Sequence, residues 1–206
     1  MFIAFEGLDG SGKTTQSKIL GSVLANDEDV IITREPGGTV AAERIRELLL
    51  DPSIDENFPV KAEALLYYAS RLFHTDNVIK PALKEHKIVI SDRYHYSTMA
   101  YQVARGACSL ESIMELDEWC LKGFKPDITF YLSIDPKVSY QRTLERGKLD
   151  RLENEYKTFA TKAHKIFIDL CFKNPNAHII DASQSIEKIH LEILTRLKIH
   201  RLTKER

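Results

Sequence analysis

The chain has 206 residues, enough to bury a full core in one domain and cramped for two. Its 43% hydrophobic and 29% charged residues are the mix of an ordinary globular protein rather than a disordered or fibrous one. The 29 basic and 30 acidic residues nearly cancel and no apolar run is long enough to span a bilayer, which argues against a nucleic acid polymer or a membrane as partner.

The first apolar run, 2–5, is predicted as a strand. It opens into Gly7-Leu8-Asp9-Gly10-Ser11-Gly12-Lys13-Thr14, a match to GxxxxGK[ST], ahead of a helix over 15–26 that begins at Thr15. Strand, glycine-rich loop and helix in this order make an anion cradle. The backbone N–H groups turn inward, and the helix N-terminus adds partial positive charge. Residues Gly7 to Thr15 are therefore the expected contacts of a nucleoside triphosphate, with Lys13 on the β- and γ-phosphates and the Thr14 hydroxyl on Mg²⁺. Asp9 stands where a carboxylate would repel phosphate, so it is expected to face a hydroxyl or an arginine of a second substrate's site.

Further along, strands are predicted over 30–33, 88–91, 128–134 and 178–180, rich in β-branched or aromatic residues as in strands buried on both faces. Helices are predicted over 40–50, 60–85, 95–105, 110–122, 136–146, 152–173 and 185–200. This alternation is the signature of α/β architecture with a parallel sheet, in which ligands gather at the carboxyl ends of the strands. The segments to inspect are thus 7–14, 34–39, 92–101, 135–136 and 181–184.

Two of these carry charge in a suggestive order. Ser91-Asp92-Arg93 follows an apolar strand; the aspartate could hold a magnesium-bound water and the arginine an acceptor phosphate, or the two could simply be an ion pair at a strand end. Arg142, Arg146, Lys148 and Arg151 gather around Gly147 at the end of a predicted helix, as in a cationic lid or, equally, a solvated helix terminus. The three cysteines, Cys108, Cys120 and Cys171, are odd in number and form no CxxC pair, so reduced thiols and a cytoplasmic enzyme are expected. There is no NKxD base-reading motif of a GTPase.

GLDGSGKTT, TREPGGT (33–39), Tyr67-Tyr68-Ala69-Ser70-Arg71, DRYHYSTMAYQ (92–102), KPDITFYLSIDP (125–136) and ERGKLDRLE (145–153) together resemble the bacterial thymidylate kinase family over nearly the whole chain. The resemblance implies a three-layer P-loop NTPase fold, a five-stranded parallel sheet flanked by helices, in a single domain with a short lid at about 145–153. It implies transfer of the ATP γ-phosphoryl group to dTMP, with Mg²⁺, in a homodimer. Lys13, Asp9, Arg93, Arg146 and Arg151 would carry the catalysis, Thr14 and Asp92 the metal. Arg93 and Arg46 would hold the dTMP phosphate, beside a wall shaped by Arg34, and Asp9 the 3′-hydroxyl. Tyr67 would stack on the base, and Arg71, Thr98 and Gln102 would meet its edge. Tyr101 would crowd the 2′ position. Adenine would rest against Arg142 and Ala182-Ser183-Gln184.

The residues agree with this in part. Tyr67 and Arg71 are four apart, a ring and a donor-only guanidinium on one helical face; the plain alternative is a core tyrosine beside a surface arginine. Thr98, Tyr101 and Gln102 also share a face. Two rival functions stand beside this one: a kinase for another nucleoside monophosphate (uridylate, cytidylate or adenylate), and a P-loop regulatory module that phosphorylates no acceptor.

Overall fold

A computed structural model describes residues 1–54, 58–145 and 156–204. Five strands, β1 (Phe2–Gly7), β2 (Val30–Arg34), β3 (Ile88–Asp92), β4 (Ile128–Ser133) and β5 (Ala177–Asp181), pair in parallel in the order β2-β3-β1-β4-β5. Among the described residues the α-helices are α1 (Lys13–Leu24), α2 (Val40–Leu50), α3 (Val60–His74), α4 (Lys80–Lys84), α5 (His95–Ala104), α6 (Leu110–Leu121), α7 (Pro136–Glu145), α8 (Tyr156–Phe172) and α9 (Ile186–Lys204). The expected α/β class with a five-stranded parallel sheet flanked by helices is what the chain forms. None of its described helices is long and apolar enough to cross a membrane.

Alternation along β1 splits its side chains between two cores, as the two-residue period of a strand requires. Ile3 and Phe5 join the larger cluster, with Leu20, Ile90, Phe130 and Phe167. Phe2 and Ala4 join the smaller one, with Ile79, Val89, Tyr94 and Leu121. The chain builds β2 and β3 on one side of β1 and then β4 and β5 on the other, so β1 sits where the strand order reverses. That is where an open sheet leaves its ligand crevice. In register, Phe5 of β1 lies beside Asp92 of β3, and the Arg93 N–H reaches the Phe5 carbonyl at 2.8 Å. The phosphate loop and the Asp92-Arg93 turn therefore leave the sheet side by side.

Two expectations need correction. The edge strand β2 is not buried on both faces: Ile32 is 45% exposed. Helix α1 comes close to this strand, so that a Cβ on Gly21 would meet the Ile32 side chain and oblige it to shift. The single helix expected over 60–85 is three pieces, with a π-helical turn at Thr75–Ile79 between α3 and α4. Pro81 near the start of α4 has no N–H to give to the preceding turn, and its ring crowds the carbonyl four residues back. The chain widens there instead, and the Lys80 N–H bonds to the Thr75 carbonyl five residues back.

Candidate active site

A cavity of about 670 Å³ opens above the carboxyl ends of β1 and β3. Its wall includes Asp9, Gly10, Gly12, Lys13, Thr14, Thr15, Arg34, Arg46, Tyr67, Arg71, Asp92, Arg93, Thr98, Tyr101, Gln102 and Arg142. Gly7, Leu8 and Ser11 stand behind that wall. The Leu8 side chain is core, the Ser11 N–H is spent on the Leu8 carbonyl, and a Cβ on Gly7 would come within 2.8 Å of the Leu132 carbonyl.

The phosphate end is built by the loop. Gly12 caps α1 with a left-handed φ of 94° and no side chain over the helix end, so the first N–H groups remain open to an anion. Lys13 is buried, and its ammonium donates to the Leu8 carbonyl at 2.8 Å. Burial above all, with Arg93 adding repulsion, lowers its pKa to about 8. The Thr14 hydroxyl donates to the Asp92 carboxylate at 2.5 Å. A hydroxyl and a carboxylate in contact are hard oxygen donors, and such a sparse pair suits magnesium, which keeps water and phosphate oxygens for most of its shell. Among the described residues no cluster of three His, Cys, Asp or Glu side chains offers an alternative metal site.

Beside the loop stands a wall of arginines. Arg93 has a left-handed φ of 72°, a conformation held only where the surroundings over-determine it. Its guanidinium donates to the Gly7 carbonyl at 3.1 Å and to Ser97 Oγ at 3.0 Å, and it forms an ion pair with Asp9. Under this turn lies Glu6, wholly buried, accepting from the Tyr94 N–H at 3.0 Å and from Ser97 Oγ at 2.5 Å. Burial pushes the Glu6 pKa up, against the pull of Ser97 and Arg93. Arg46 donates to the Pro36 carbonyl at 3.0 Å. Burial first, then Arg34 and Arg93, lowers its pKa, so three guanidinium groups face one end of the cavity and repel one another. Such a cluster is relieved by an anion. Arg34 itself is half exposed and paired with Glu43 at 2.8 Å.

The third wall is the most deeply built. Arg71 is 1% exposed. Its Nε donates to Glu35 at 2.7 Å, and its Nη2 donates to the Tyr94 carbonyl and to Thr98 Oγ1, both at 2.9 Å. The other Glu35 oxygen lies 2.9 Å from Nδ1 of buried His74, whose Nε2 lies 2.8 Å from Thr33 Oγ1. Of the Arg71 guanidinium nitrogens, Nη1 alone is buried without a hydrogen-bond partner, and Oε1 of Gln102 is in the same condition. The plain alternative for this pair of helical positions is thereby set aside: Arg71 is interior, and the core tyrosine is Tyr68, bonded to Asp117 at 3.0 Å, while Tyr67 is half-buried on the cavity wall. Thr98, expected at the edge of a base, lies on the cavity wall and its hydroxyl oxygen accepts from Arg71 Nη2. Tyr101 is wedged edge-on against Phe159 and Phe167, with ring centroids 5.8 Å away in each case, and its hydroxyl lies 3.5 Å from Asp9.

On the far side Arg142 reaches the Gly10 carbonyl at 3.3 Å. The loop Ala182-Ser183-Gln184, expected to join it, is not on the cavity wall; Ala182 is packed in the core, and its N–H bonds to Ser133 of β4 at 2.8 Å. Gly147, Lys148 and the two candidate lid arginines, Arg146 and Arg151, lie outside the described residues.

The model of the family described as Thymidylate kinase matches residues 5–193. The chain belongs to the thymidylate kinase family. Among its relatives, the thymidylate kinase of Legionella pneumophila (strain Corby) is 40% identical over 192 residues, spanning 93% of this chain and 91% of that one. That of Finegoldia magna is 39% identical over 201 residues, 96% and 98% of the two chains. The crystal structure of thymidylate kinase from Ehrlichia chaffeensis superposes with a TM-score of 0.77 at 35% identity, covering 96% of this chain and 98% of its own.

Sequence reasoning missed Glu35, His74, Ser97 and Tyr156, which surround or support the kinase-family residues, and left Glu6 without a role. Glu35 and Ser97 stand inside the quoted segments 33–39 and 92–102, and Glu6 is an acid inside an otherwise apolar strand.

Proposed function

We propose that this protein transfers the γ-phosphoryl group of ATP to dTMP, giving dTDP and ADP. One observation carries the choice of base. Arg71 Nη1 is a donor and Gln102 Oε1 an acceptor; both are buried, lack partners and belong to the same cavity wall. Thymine offers the complement, an acceptor at O4 and a donor at N3–H, whereas cytosine presents an amino donor where thymine has O4. A mismatched base would leave a buried group unpaired, a penalty of about 1–3 kcal/mol for each such group. The deciding experiment measures ADP release with dTMP, dUMP, dCMP or AMP as acceptor. dTMP is expected to give the largest kcat/KM and dCMP a value lower by about 10–100-fold; a clear preference for dUMP, dCMP or AMP would overturn the reading.

The chain's own groups divide the work as follows. Tyr67 stacks on the base, and Tyr101, immobilised by Phe159 and Phe167, closes the 2′ side of the sugar. Asp9 receives the 3′-hydroxyl, and Arg93 with Arg46 holds the acceptor phosphate in line. Lys13 turns from the Leu8 carbonyl to the β- and γ-phosphates, while the open N-terminus of α1 receives the rest of the triphosphate. Thr14 and Asp92 would hold Mg²⁺, which neutralises charge on the phosphate oxygens when bound. Arg142, with Arg146 and Arg151 of the lid proposed at about 145–153, would supply positive charge from the ATP side. Phosphoryl transfer is loose, so alignment and charge neutralisation suffice and no covalent intermediate is needed.

We place the enzyme in the cytoplasm as a single-domain homodimer. The free thiols of Cys108, Cys120 and Cys171 support the first. For the second, helices α2, α3 and α6 pack in sequence and expose Leu48, Leu65, Phe73, Met114 and Trp119.

Lys13 gives a pH prediction. Its pKa is lowered to about 8 in the free protein, so the ammonium is lost above that value. kcat/KM for ATP, which reports the free enzyme, is expected to fall on the alkaline side of about pH 8. Linkage runs the other way: between about 8 and the ordinary 10.5 the folded state binds fewer protons than the unfolded one, so this group's contribution to stability rises with pH. A kcat/KM profile flat to pH 9.5 would contradict the assignment.

A further inference from the structure

The peptide of Asp9 is held by a closed ring of hydrogen bonds that no substrate contact requires. Its N–H donates to the Tyr156 hydroxyl oxygen at 3.1 Å. Its carbonyl accepts from Ser139 Oγ at 2.5 Å. The two hydroxyls lie 2.5 Å apart. Counting hydrogens fixes the direction. The single Ser139 hydroxyl proton is committed to the Asp9 carbonyl, so Tyr156 must donate to Ser139 while it accepts from the Asp9 N–H. Each group in the ring then gives and receives once, and the two hydroxyls come from α7 and α8, far from Asp9 in sequence. Both are buried.

From this ring we infer that Tyr156 and Ser139 are positioning residues for phosphoryl transfer, acting through Asp9. The Asp9 carboxylate carries the ion pair to Arg93 and a 3.5 Å contact to the Tyr101 hydroxyl. With its N–H and carbonyl both tied, the residue cannot turn, and its carboxylate points away from the triphosphate toward the acceptor side. Because Asp9 N–H is spent on Tyr156, it is not one of the loop donors that cradle phosphate. Loss of the ring therefore leaves the ATP site largely intact and misaligns the acceptor. The inference rests on the dTMP phosphotransfer reading above.

Tyr156→Phe tests it, since it removes one oxygen and keeps the ring that packs against Phe159. The expected result is a fall in kcat of about three- to tenfold, the effect of one neutral hydrogen bond, with KM for ATP within about twofold of wild type. The same change in an Asp9→Asn background is expected to cost little more, because the effect passes through that carboxylate. A purely structural role would lower the melting temperature and subtract the same factor in both backgrounds. Unchanged kcat in Tyr156→Phe, or an equal loss in the two backgrounds, overturns the inference. If Tyr156→Phe does not fold, Ser139→Ala carries the identical comparison, and failure of both to fold overturns it too. A wild-type chain that forms no ADP with dTMP overturns the phosphotransfer reading and this inference with it; an active wild type with an indifferent Tyr156→Phe overturns the inference alone.

Discussion

Arg93→Ala is expected to lower kcat/KM for dTMP by about 10²–10⁴, with a much smaller change in the binding of ATP. The magnitude comes from two charge-assisted hydrogen bonds to the acceptor phosphate, each worth about 1.5–3 kcal/mol. No neighbour can substitute. The guanidinium is aimed by the Gly7 carbonyl, Ser97 and Asp9, and the backbone beneath it is held in a left-handed turn by Glu6 and the Phe5 carbonyl. Arg46 and Arg34 approach the same end of the cavity from other elements and cannot occupy that position. Arg93→Lys should recover little, because a point charge reproduces neither the fork nor its three anchors. Steady-state kinetics with dTMP varied at saturating ATP decides the matter; a loss below about tenfold would remove Arg93 from the phosphate site.

Glu35→Ala is expected to be the most destabilising single change at this site, by about 3–5 kcal/mol, because it leaves the Arg71 guanidinium buried without its counter-charge. The pair is almost wholly interior, with side chains 1% and 3% exposed, and His74 loses a partner as well. For a chain of this length that corresponds to a fall in melting temperature of roughly 6–20 °C. Removing both charges together, as Glu35→Leu with Arg71→Met, should restore much of the stability. It should not restore discrimination between dTMP and dCMP, since the Arg71 donor is gone. Denaturant titration and acceptor kinetics on the same two variants separate the outcomes. If the double variant still prefers dTMP strongly, Arg71 does not read the base.

What could be read from the chain alone follows a physical rule. The phosphate loop is contiguous, so its glycines, Lys13 and Thr14 announce themselves, and the strand ends are visible because the apolar runs stop there. Asp92 and Arg93 were found for that reason. Tyr67, Arg71, Thr98, Tyr101 and Gln102 were legible as helical faces once the family resemblance said which faces to read. Glu35 to Arg71 and Tyr156 to Asp9 were not legible, because nothing local links residues brought together only by the sheet order and the crossing of α8 over α5. The strand order itself left no trace, which is why the edge position of β2 and its exposed Ile32 went unforeseen. The single helix expected over 60–85 took no account of Pro81, whose missing N–H accompanies the widened turn, where Thr75 Oγ1 also lies 3.1 Å from the Tyr94 hydroxyl.

Three of the contacts that immobilise Arg71 are made before any nucleotide arrives. Freezing a long cationic side chain costs about 2 kcal/mol of rotamer freedom, and here folding has already absorbed that loss. On the proposed reading, an incoming pyrimidine would meet an Arg71 that is already in place. Association should then be governed by diffusion and charge steering toward the arginine wall, and selectivity by how long each base stays.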